Sequence, residues 1–106
     1  MRKIVENYRE PGYWYRKYDD GFIEQGGTVI TSIAASGRYT FTFPRPFTNT
    51  PICIRTSIYG ATASASSGHA LAVSTASSYA PTATTVNLYN DGSNARPGFC
   101  WEACGY

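Results

Sequence analysis

The side chains that could carry acid–base chemistry are few in this 106-residue sequence. A glycan hydrolase would need two carboxylates several ångströms apart, one of them with a raised pKa. Asp19 and Asp20 are adjacent, so on a strand they would point to opposite faces, and in a turn they would cap backbone amides. Glu24 and Glu102 could become partners only through the fold. The carboxylates therefore predict turn structure rather than a hydrolytic pair.

The sole histidine and the three cysteines show no recognised catalytic or metal-binding pattern. A Ser-His-Asp site would have to use His69, and no nucleophile-elbow sequence accompanies it. Zinc would need His69 together with Cys53, Cys100 and Cys104, without the paired short spacing of zinc ligands. On one extended strand Cys100 and Cys104 would lie about 13 Å apart, too far for a disulfide, so reduced thiols are predicted. We predict no enzyme activity, no cofactor and no metal.

The distribution of charge excludes whole classes of partner. The net charge is +2, ten of the sixteen formal charges fall between Arg2 and Glu24, and none falls between Thr56 and Asn90. That neutral stretch lacks the basic footprint that phosphate binding requires, so nucleic acid is not a predicted ligand. No apolar run approaches the roughly 18 residues of a membrane span, and the first residues lack a signal peptide's hydrophobic segment. We expect a domain that is not membrane-embedded and is made in the cytoplasm.

Bulky apolar residues are scarce for a single robust core. Ile, Leu, Val and Phe make up 18 of the 106 residues, whereas Ala, Ser, Thr and Gly make up 44. A chain of this length hides only about 60 to 65% of its unfolded surface. Disorder is nevertheless not predicted, because aromatic residues are 15% of the chain and net charge is low. We therefore expect burial to be completed between subunits.

Alternating β-branched and aromatic residues, punctuated by Gly, Pro, Asn and Asp, predict an all-β fold, an antiparallel β-sandwich. The predicted strands cover residues 13–18, 22–25, 28–33, 38–43, 52–59, 70–75, 84–89 and 99–104. The Asp-Gly pair before Phe22 signals a hairpin, and Gly26-Gly27 predicts a bulge or kink. Strict alternation places Tyr39, Phe41 and Phe43 on one face of their strand. The inward candidates in the later strands are Leu71, Val73, Val86, Leu88, Phe99 and Trp101.

Three loops, at 60–68, 76–83 and 90–97, separate the later strands. Loops on a rigid sheet scaffold are where recognition usually resides. The first loop also has the small-residue composition of a flexible spacer, and both interpretations stay open. If successive strands are antiparallel, the first and third loops lie at one end of the sandwich and the second at the other.

Segments at the two ends of the chain indicate a particular protein family, which the strand and loop patterns do not. Residues 4–9, 14–18 and 20–27 resemble the opening of the C-terminal domain of bacteriophage and prophage tail-fibre proteins, and 99–106, ending in Gly-Tyr, resembles its aromatic closing strand. The segment Phe-Pro-Arg-Pro-Phe at 43–47 resembles the family's mid-domain Phe-Pro-x-x-Phe element. Phe22 stands where related domains often have Trp. Residues 56–85 match only as a strand-loop pattern, so the resemblance identifies no ligand.

The resemblance implies a homotrimeric fibre tip with residues 1–12 leading in from the upstream fibre shaft and 13–106 forming the β-sandwich tip domain. It also implies a virion tail fibre, made in the host cytoplasm and acting at the outside of the bacterial cell. The particle could be an infectious phage, a tail-like bacteriocin or a prophage remnant. The aromatic residues that we assign to core or trimer packing are Trp14, Phe22, Tyr39, Phe41, Phe43, Phe99 and Trp101.

The function that follows as an expectation is recognition of a host bacterial surface receptor, with a polysaccharide such as lipopolysaccharide ahead of an outer-membrane protein. Tyrosine rings stack on the apolar faces of sugars, and amide and carboxylate groups pair with sugar hydroxyls. The predicted contact residues are Tyr59, His69, Tyr79, Asn90, Asp91, Asn94 and Arg96. Two alternatives are a structural trimerisation or capping domain without direct receptor contact, and a polysaccharide depolymerase.

Overall fold

The fold is an antiparallel β-sandwich, as the sequence predicts. The computed structural model describes residues 2–58, 71–74, 79–90 and 95–106, and every regular element there is a strand. The strands are β1 (Ile4–Glu10), β2 (Tyr13–Tyr18), β3 (Ile23–Ile33), β4 (Arg38–Thr42), β5 (Cys53–Ile58), β6 (Leu71–Val73), β7 (Thr85–Asn90) and β8 (Arg96–Gly105). One sheet has the order β1-β2-β3-β8-β5 and the other β4-β7-β6. In the described ranges, no helix is long and apolar enough to cross a bilayer.

The core lies between the two sheets and is dominated by aromatic rings. Phe41 of β4 packs against Phe99 and Trp101 of β8, with ring centroids 5.6 and 4.7 Å away. The other buried apolar side chains are Ile23, Ile33, Phe43, Phe47, Val86, Leu88 and Ala103. Because an aromatic ring buries more surface than an aliphatic side chain, five rings offset the scarcity of Leu and Val. The chain thus builds a core of its own, and the trimer stays a prediction.

The seven aromatic residues assigned to packing occupy three environments. Those buried in the core are Phe41, Phe43, Phe99 and Trp101. Tyr39 packs half-buried against that core, and Phe22 meets Tyr106 at a ring-centroid distance of 5.3 Å. Trp14 lies on the other side of the five-stranded sheet, because its cross-strand partner is Gly26 and the alternate residue Tyr13 faces the core.

Strand β3 runs without interruption through both glycines at 26–27, so the predicted bulge there is wrong. Its register with β2 is continuous, and the irregularity in its pairing with β8 falls later, between Ile30 and Ile33. Gly26 instead lets the Trp101 carbonyl group and the Trp14 ring lie close to the backbone of β3. A Cβ there would lie 2.7 Å from the carbonyl oxygen of Trp101 and 3.0 Å from the Trp14 ring.

The first residues of the chain form an edge strand of the five-stranded sheet. Residues 4–10, expected to lead in from a shaft, pair with β2 as strand β1. Glu6 of β1 accepts a 2.8 Å hydrogen bond from the Tyr15 hydroxyl and forms an ion pair with Arg45. These contacts tie the edge strand to both β2 and the proline-containing segment.

The Phe-Pro-Arg-Pro-Phe segment is held in place by a buried amide from β3. Gln25 is fully buried; its Nε2 donates to the Arg45 carbonyl oxygen at 2.6 Å, and its Oε1 accepts from the Arg45 backbone N–H at 3.2 Å. The rings of Phe43 and Phe47 meet edge to face, 5.2 Å apart. A buried polar side chain with both ends satisfied specifies one geometry for this connection.

Candidate functional site

The strand ends that flank two of the predicted loops meet at one end of the sandwich. The end of β5 lies beside Phe99, β6 begins beside Asn90, and Arg96 at the start of β8 lies beside Ile33. By contrast, the Ser74 backbone N–H donates to the Asn87 carbonyl, toward the opposite end of β7. The strand ends that flank the first and third predicted loops therefore lie at one end of the sandwich, as predicted, and the end of β6 that precedes the second loop lies at the other.

The structure describes the side chains of two of the seven predicted contact residues. Tyr59, His69, Asp91 and Asn94 lie outside the described residues, and Arg96 is described only as backbone at the start of β8. Their roles therefore stay predictions. The two whose side chains the structure describes are Asn90 and Tyr79, and they differ sharply in environment.

Asn90 is fully buried rather than exposed at a loop edge. Its Nδ2 donates to the carbonyl oxygens of Ile33 and Ala34, each at 3.2 Å, and its backbone N–H donates to the Gly37 carbonyl at 2.9 Å. These bonds satisfy carbonyl groups in the turn between β3 and β4. The side chain is committed to the interior, so we assign Asn90 a structural role.

Tyr79 lies on the surface, with 38% of its area exposed. The Arg38 guanidinium sits 3.9 Å from the centroid of the Tyr79 ring and 5.5 Å from that of Tyr89. Asn87 Nδ2 donates to the Tyr79 carbonyl oxygen at 3.3 Å. Residue 79, which belongs to the second predicted loop, is thereby fixed over the outer side of the three-stranded sheet.

The outer side of the three-stranded sheet carries hydroxyls, an amide and rings around one positive charge. Residues directly opposite in antiparallel strands point to the same side, which places Arg38 with Tyr89 and Thr40 with Asn87. The Thr40 hydroxyl donates to Asn87 Oδ1 at 2.7 Å. We call this surface the tyrosine face; it comprises Arg38, Thr40, Thr42, Tyr79, Thr85, Asn87 and Tyr89.

Arg38 is the residue of this surface that sequence reasoning missed. Alternation correctly put it on the polar side of β4, but nothing local predicts its contact with a ring 41 positions away. It is the one charged residue in β4, β6 and β7. In the part of the chain that the structure describes, no carboxylate lies within ion-pair distance of it.

A second surface lies on the outer side of the five-stranded sheet, where a concavity of about 510 Å³ opens beside Trp14. The Arg16 guanidinium lies 4.9 Å from the Trp14 ring, and its Nε is 3.6 Å from Glu24, longer than a hydrogen bond. Arg55 approaches Glu102 at 3.9 Å. We call this surface the tryptophan face; it comprises Asn7, Arg9, Trp14, Arg16, Glu24, Thr28, Arg55 and Glu102.

The adjacent aspartates act in backbone capping, as predicted. Asp19 Oδ1 accepts from the Lys3 backbone N–H at 3.2 Å, and Asp20 Oδ1 accepts from that of Phe22 at 3.1 Å. The Phe22 hydrogen bond, with help from Arg2, lowers the pKa of Asp20. A general acid needs the opposite shift.

No group of three His, Cys, Asp or Glu side chains suited to a metal occurs within residues 2–58, 71–74, 79–90 and 95–106.

Solved structures of pyocin fibres contain a domain with the same fold as this chain. The R2 pyocin fibre of P. aeruginosa matches with a TM-score of 0.72 and 23% identity, over 96% of this chain and 26% of that one. An N-truncated R2-type pyocin tail fibre matches at 0.71 and 24%, over 96% and 38%. An N-truncated R1-type pyocin tail fibre matches at 0.63 and 21%, over 95% and 84%. The chain therefore spans well under half of the two R2 fibre chains.

Sequence comparison identifies the family. No curated protein matches the chain significantly. Residues 17–106 match the family of tail fiber proteins described as gp53-like, C-terminal. Because that match covers most of the chain, the chain belongs to the gp53-like family of tail fiber proteins and corresponds to its C-terminal domain.

Proposed function

We propose that this tail-fibre domain recognises a receptor on the host bacterial surface and that the tyrosine face is part of the contact surface. The observation that carries the proposal is the Arg38 guanidinium stacked on Tyr79 and near Tyr89. The predicted contact residues Tyr59, His69, Asp91, Asn94 and Arg96 complete the proposed surface. A bacterial surface polysaccharide fits it better than an outer-membrane protein.

The chemistry of the tyrosine face suits a sugar. Tyrosine rings offer flat apolar surfaces to the C–H faces of a pyranose, and the Asn87 amide and the threonine hydroxyls pair with its hydroxyls. Arg38 adds a planar cation that matches a carboxylate or phosphate substituent with two parallel hydrogen bonds. We therefore expect acidic or phosphorylated glycans to bind better than neutral ones.

Weak binding at one site is compatible with firm attachment of a particle. The domain belongs to a fibre and is joined to its shaft, and we propose that it acts there as a homotrimer. Several copies held together raise the effective concentration of each free site once one site is bound. A modest affinity for one sugar unit is then sufficient for adsorption.

The alternative of a trimerisation or capping domain has its own supporting observation. Four aliphatic side chains in or beside the five-stranded sheet are unusually exposed, namely Ile4 (51%), Val5 (56%), Ile30 (74%) and Ile52 (70%). Exposed apolar surface is stabilised when another subunit covers it. This role concerns the other sheet, so it is separable from receptor contact on the tyrosine face.

The test compares two exposed tyrosines. We expect Tyr79→Ala to weaken binding of the purified domain to host cells or host polysaccharide about fivefold to tenfold, because one stacking contact is lost. Tyr8→Ala is the matched control, since Tyr8 is 45% exposed but lies on β1. Thermal unfolding and light scattering of both variants report folding and assembly.

The outcomes separate the three functions. If Tyr79→Ala binds like the unaltered domain while replacing Ile30 with a charged residue abolishes assembly without changing host specificity, the capping role is supported instead. Shortening of the polysaccharide chains during incubation would support a depolymerase and contradict the binding-only function.

A further inference from the structure

Two of the three cysteines are direct neighbours across a pair of strands. Cys53 of β5 is the register partner of Cys104 of β8, and both side chains are half-buried. Opposite residues in antiparallel strands have Cα atoms about 4.5 to 5.5 Å apart, within the range of about 4.4 to 6.8 Å seen across disulfides. Their side chains point to the same side of the sheet. The backbone therefore already holds the two thiols at bonding range.

The surroundings of this pair admit a small reagent. A concavity of about 70 Å³ is lined by both cysteines together with Trp14, Glu24, Arg55 and Glu102. Burial and a hydrogen bond with Cys53 raise the pKa of the Cys104 thiol, which favours its protonated form at neutral pH. The pair is thus stable as thiols in a reducing cytoplasm, yet open to solvent on one side.

Cys100 provides an internal contrast on the same strand. Its cross-strand partners are Thr28 of β3 and Ser57 of β5, and its Sγ lies 3.6 Å from Thr28 Oγ1. It has no cysteine opposite it on either side. A reaction that needs two facing thiols should therefore spare Cys100.

We propose that Cys53 and Cys104 form an oxidisable dithiol that closes to a disulfide in the oxidising surroundings outside the cell. With oxidised glutathione, the Cys53 thiolate attacks one sulfur, and the first glutathione thiolate leaves. The Cys104 thiolate then attacks the Cys53 sulfur of the mixed disulfide and releases the second glutathione. The cysteines lose two protons and two electrons in total, and the oxidant is reduced to two thiols.

The disulfide would link edge strand β5 to β8 and enclose the segment between residues 53 and 104. That segment contains β6, β7 and all seven predicted contact residues, as well as Tyr89 of the tyrosine face. Closing so long a loop restricts the unfolded chain strongly, so we expect the melting temperature to rise by roughly 10 °C. A domain made in the cytoplasm would thus become more robust after release.

The test uses the purified, reduced domain incubated with oxidised glutathione. Intact mass should fall by about 2 Da, with one alkylatable thiol left, and peptide mapping should join the peptides of Cys53 and Cys104. Cys100→Ser should keep both the linkage and the rise in melting temperature, whereas Cys53→Ser should lose them. Because Trp14 lines the same concavity, disulfide formation should also quench tryptophan fluorescence in the otherwise unaltered domain.

Three results would overturn the proposal. They are three alkylatable thiols after prolonged oxidation, a stable glutathione adduct that is never resolved by a second cysteine, and loss of the reaction in Cys100→Ser. The fluorescence and mass measurements need no variant, so a folding defect in Cys53→Ser would not obscure the result.

Discussion

The outer faces of the two sheets use their polar groups in opposite ways. On the tryptophan face, charges of both signs alternate, and Arg16 and Arg55 each have an acidic neighbour within 4.0 Å. On the tyrosine face, Arg38 is the only charge, and its described neighbours are rings. The first face places opposite charges near one another, whereas the second presents a cation stacked on aromatic rings.

This difference originates in the uneven distribution of charge along the chain. The strands β1 and β2 and the first residues of β3 come from the segment that holds ten of the sixteen charges, whereas β6 and β7 come from the stretch between Thr56 and Asn90 that holds none. The strands β4, β6 and β7 themselves contain no carboxylate that could neutralise Arg38. Substitutions on the tryptophan face should therefore affect stability, and those on the tyrosine face should affect binding.

The largest effect is expected from Gly26→Val on the tryptophan face. A Cβ at Gly26 would meet the Trp101 carbonyl oxygen at 2.7 Å and the Trp14 ring at 3.0 Å, so either the sheet or the indole must move. We expect a loss of about 3 kcal/mol in the free energy of unfolding, measured by urea denaturation. Glycan affinity of the folded protein should be unchanged.

The control for that change is Thr42→Val on the exposed side of β4, which should alter stability by no more than about 0.5 kcal/mol. Equal losses for the two variants would show that the faces do not differ in packing. A Gly26→Val protein that is stable but fails to bind would place recognition on the tryptophan face and reverse the comparison.

A smaller effect, about tenfold in affinity or about 1.4 kcal/mol, is expected from Arg38→Gln. The substitution removes the cation and its stacking on Tyr79 while keeping an amide of similar reach. Binding of host polysaccharide should weaken, and the remaining binding should depend less on salt, because the screened charge is gone. The melting temperature should stay the same, since an exposed guanidinium contributes little to folding.

Arg55→Gln is the matched control, since its side chain is 73% exposed and belongs to the tryptophan face. Affinity should be unaffected by it. Equal weakening in both variants would mean that the glycan responds to net charge rather than to the tyrosine face.

Sequence patterns predicted the parts of the fold that depend on local alternation. The strand with Tyr39, Phe41 and Phe43 on one side, and the inward positions Val86 and Leu88, appear in the structure as predicted. Alternation fixes which side of a strand is apolar when the other side is polar. It therefore worked for β4 and β7, whose second faces are hydroxyls, amides and one arginine.

The same rule could not orient β2 or assemble the surfaces. Tyr13, Trp14 and Tyr15 are consecutive aromatic residues, so alternation gave no reason to place Trp14 outside and its neighbours inside. The contact of Arg38 with Tyr79 and the pairing of Cys53 with Cys104 depend on the register of strands far apart in sequence. Such registers are set by packing of the whole sandwich, which no local pattern encodes.

The smallest expected effect concerns pH and again separates the two sheets. Hydrogen bonding from Tyr15, helped by Arg45, lowers the pKa of Glu6 below its usual value near 4.5, and Asp20 shifts the same way. A lowered pKa in the folded state means that this stabilisation is full above about pH 5 and is lost as pH falls through the folded-state value. The strands β4, β6 and β7 contain no carboxylate, so they have no such dependence of their own.

Hydrogen exchange at about pH 3 should thus open β1 before β7, and Glu6→Gln should reduce the decline in melting temperature between about pH 5 and 3. Equal opening of β1 and β7, or an unchanged decline in the melting temperature of Glu6→Gln, would contradict this prediction. Either result would show that the β1–β2 hairpin does not determine stability at low pH and that the sandwich unfolds as one unit.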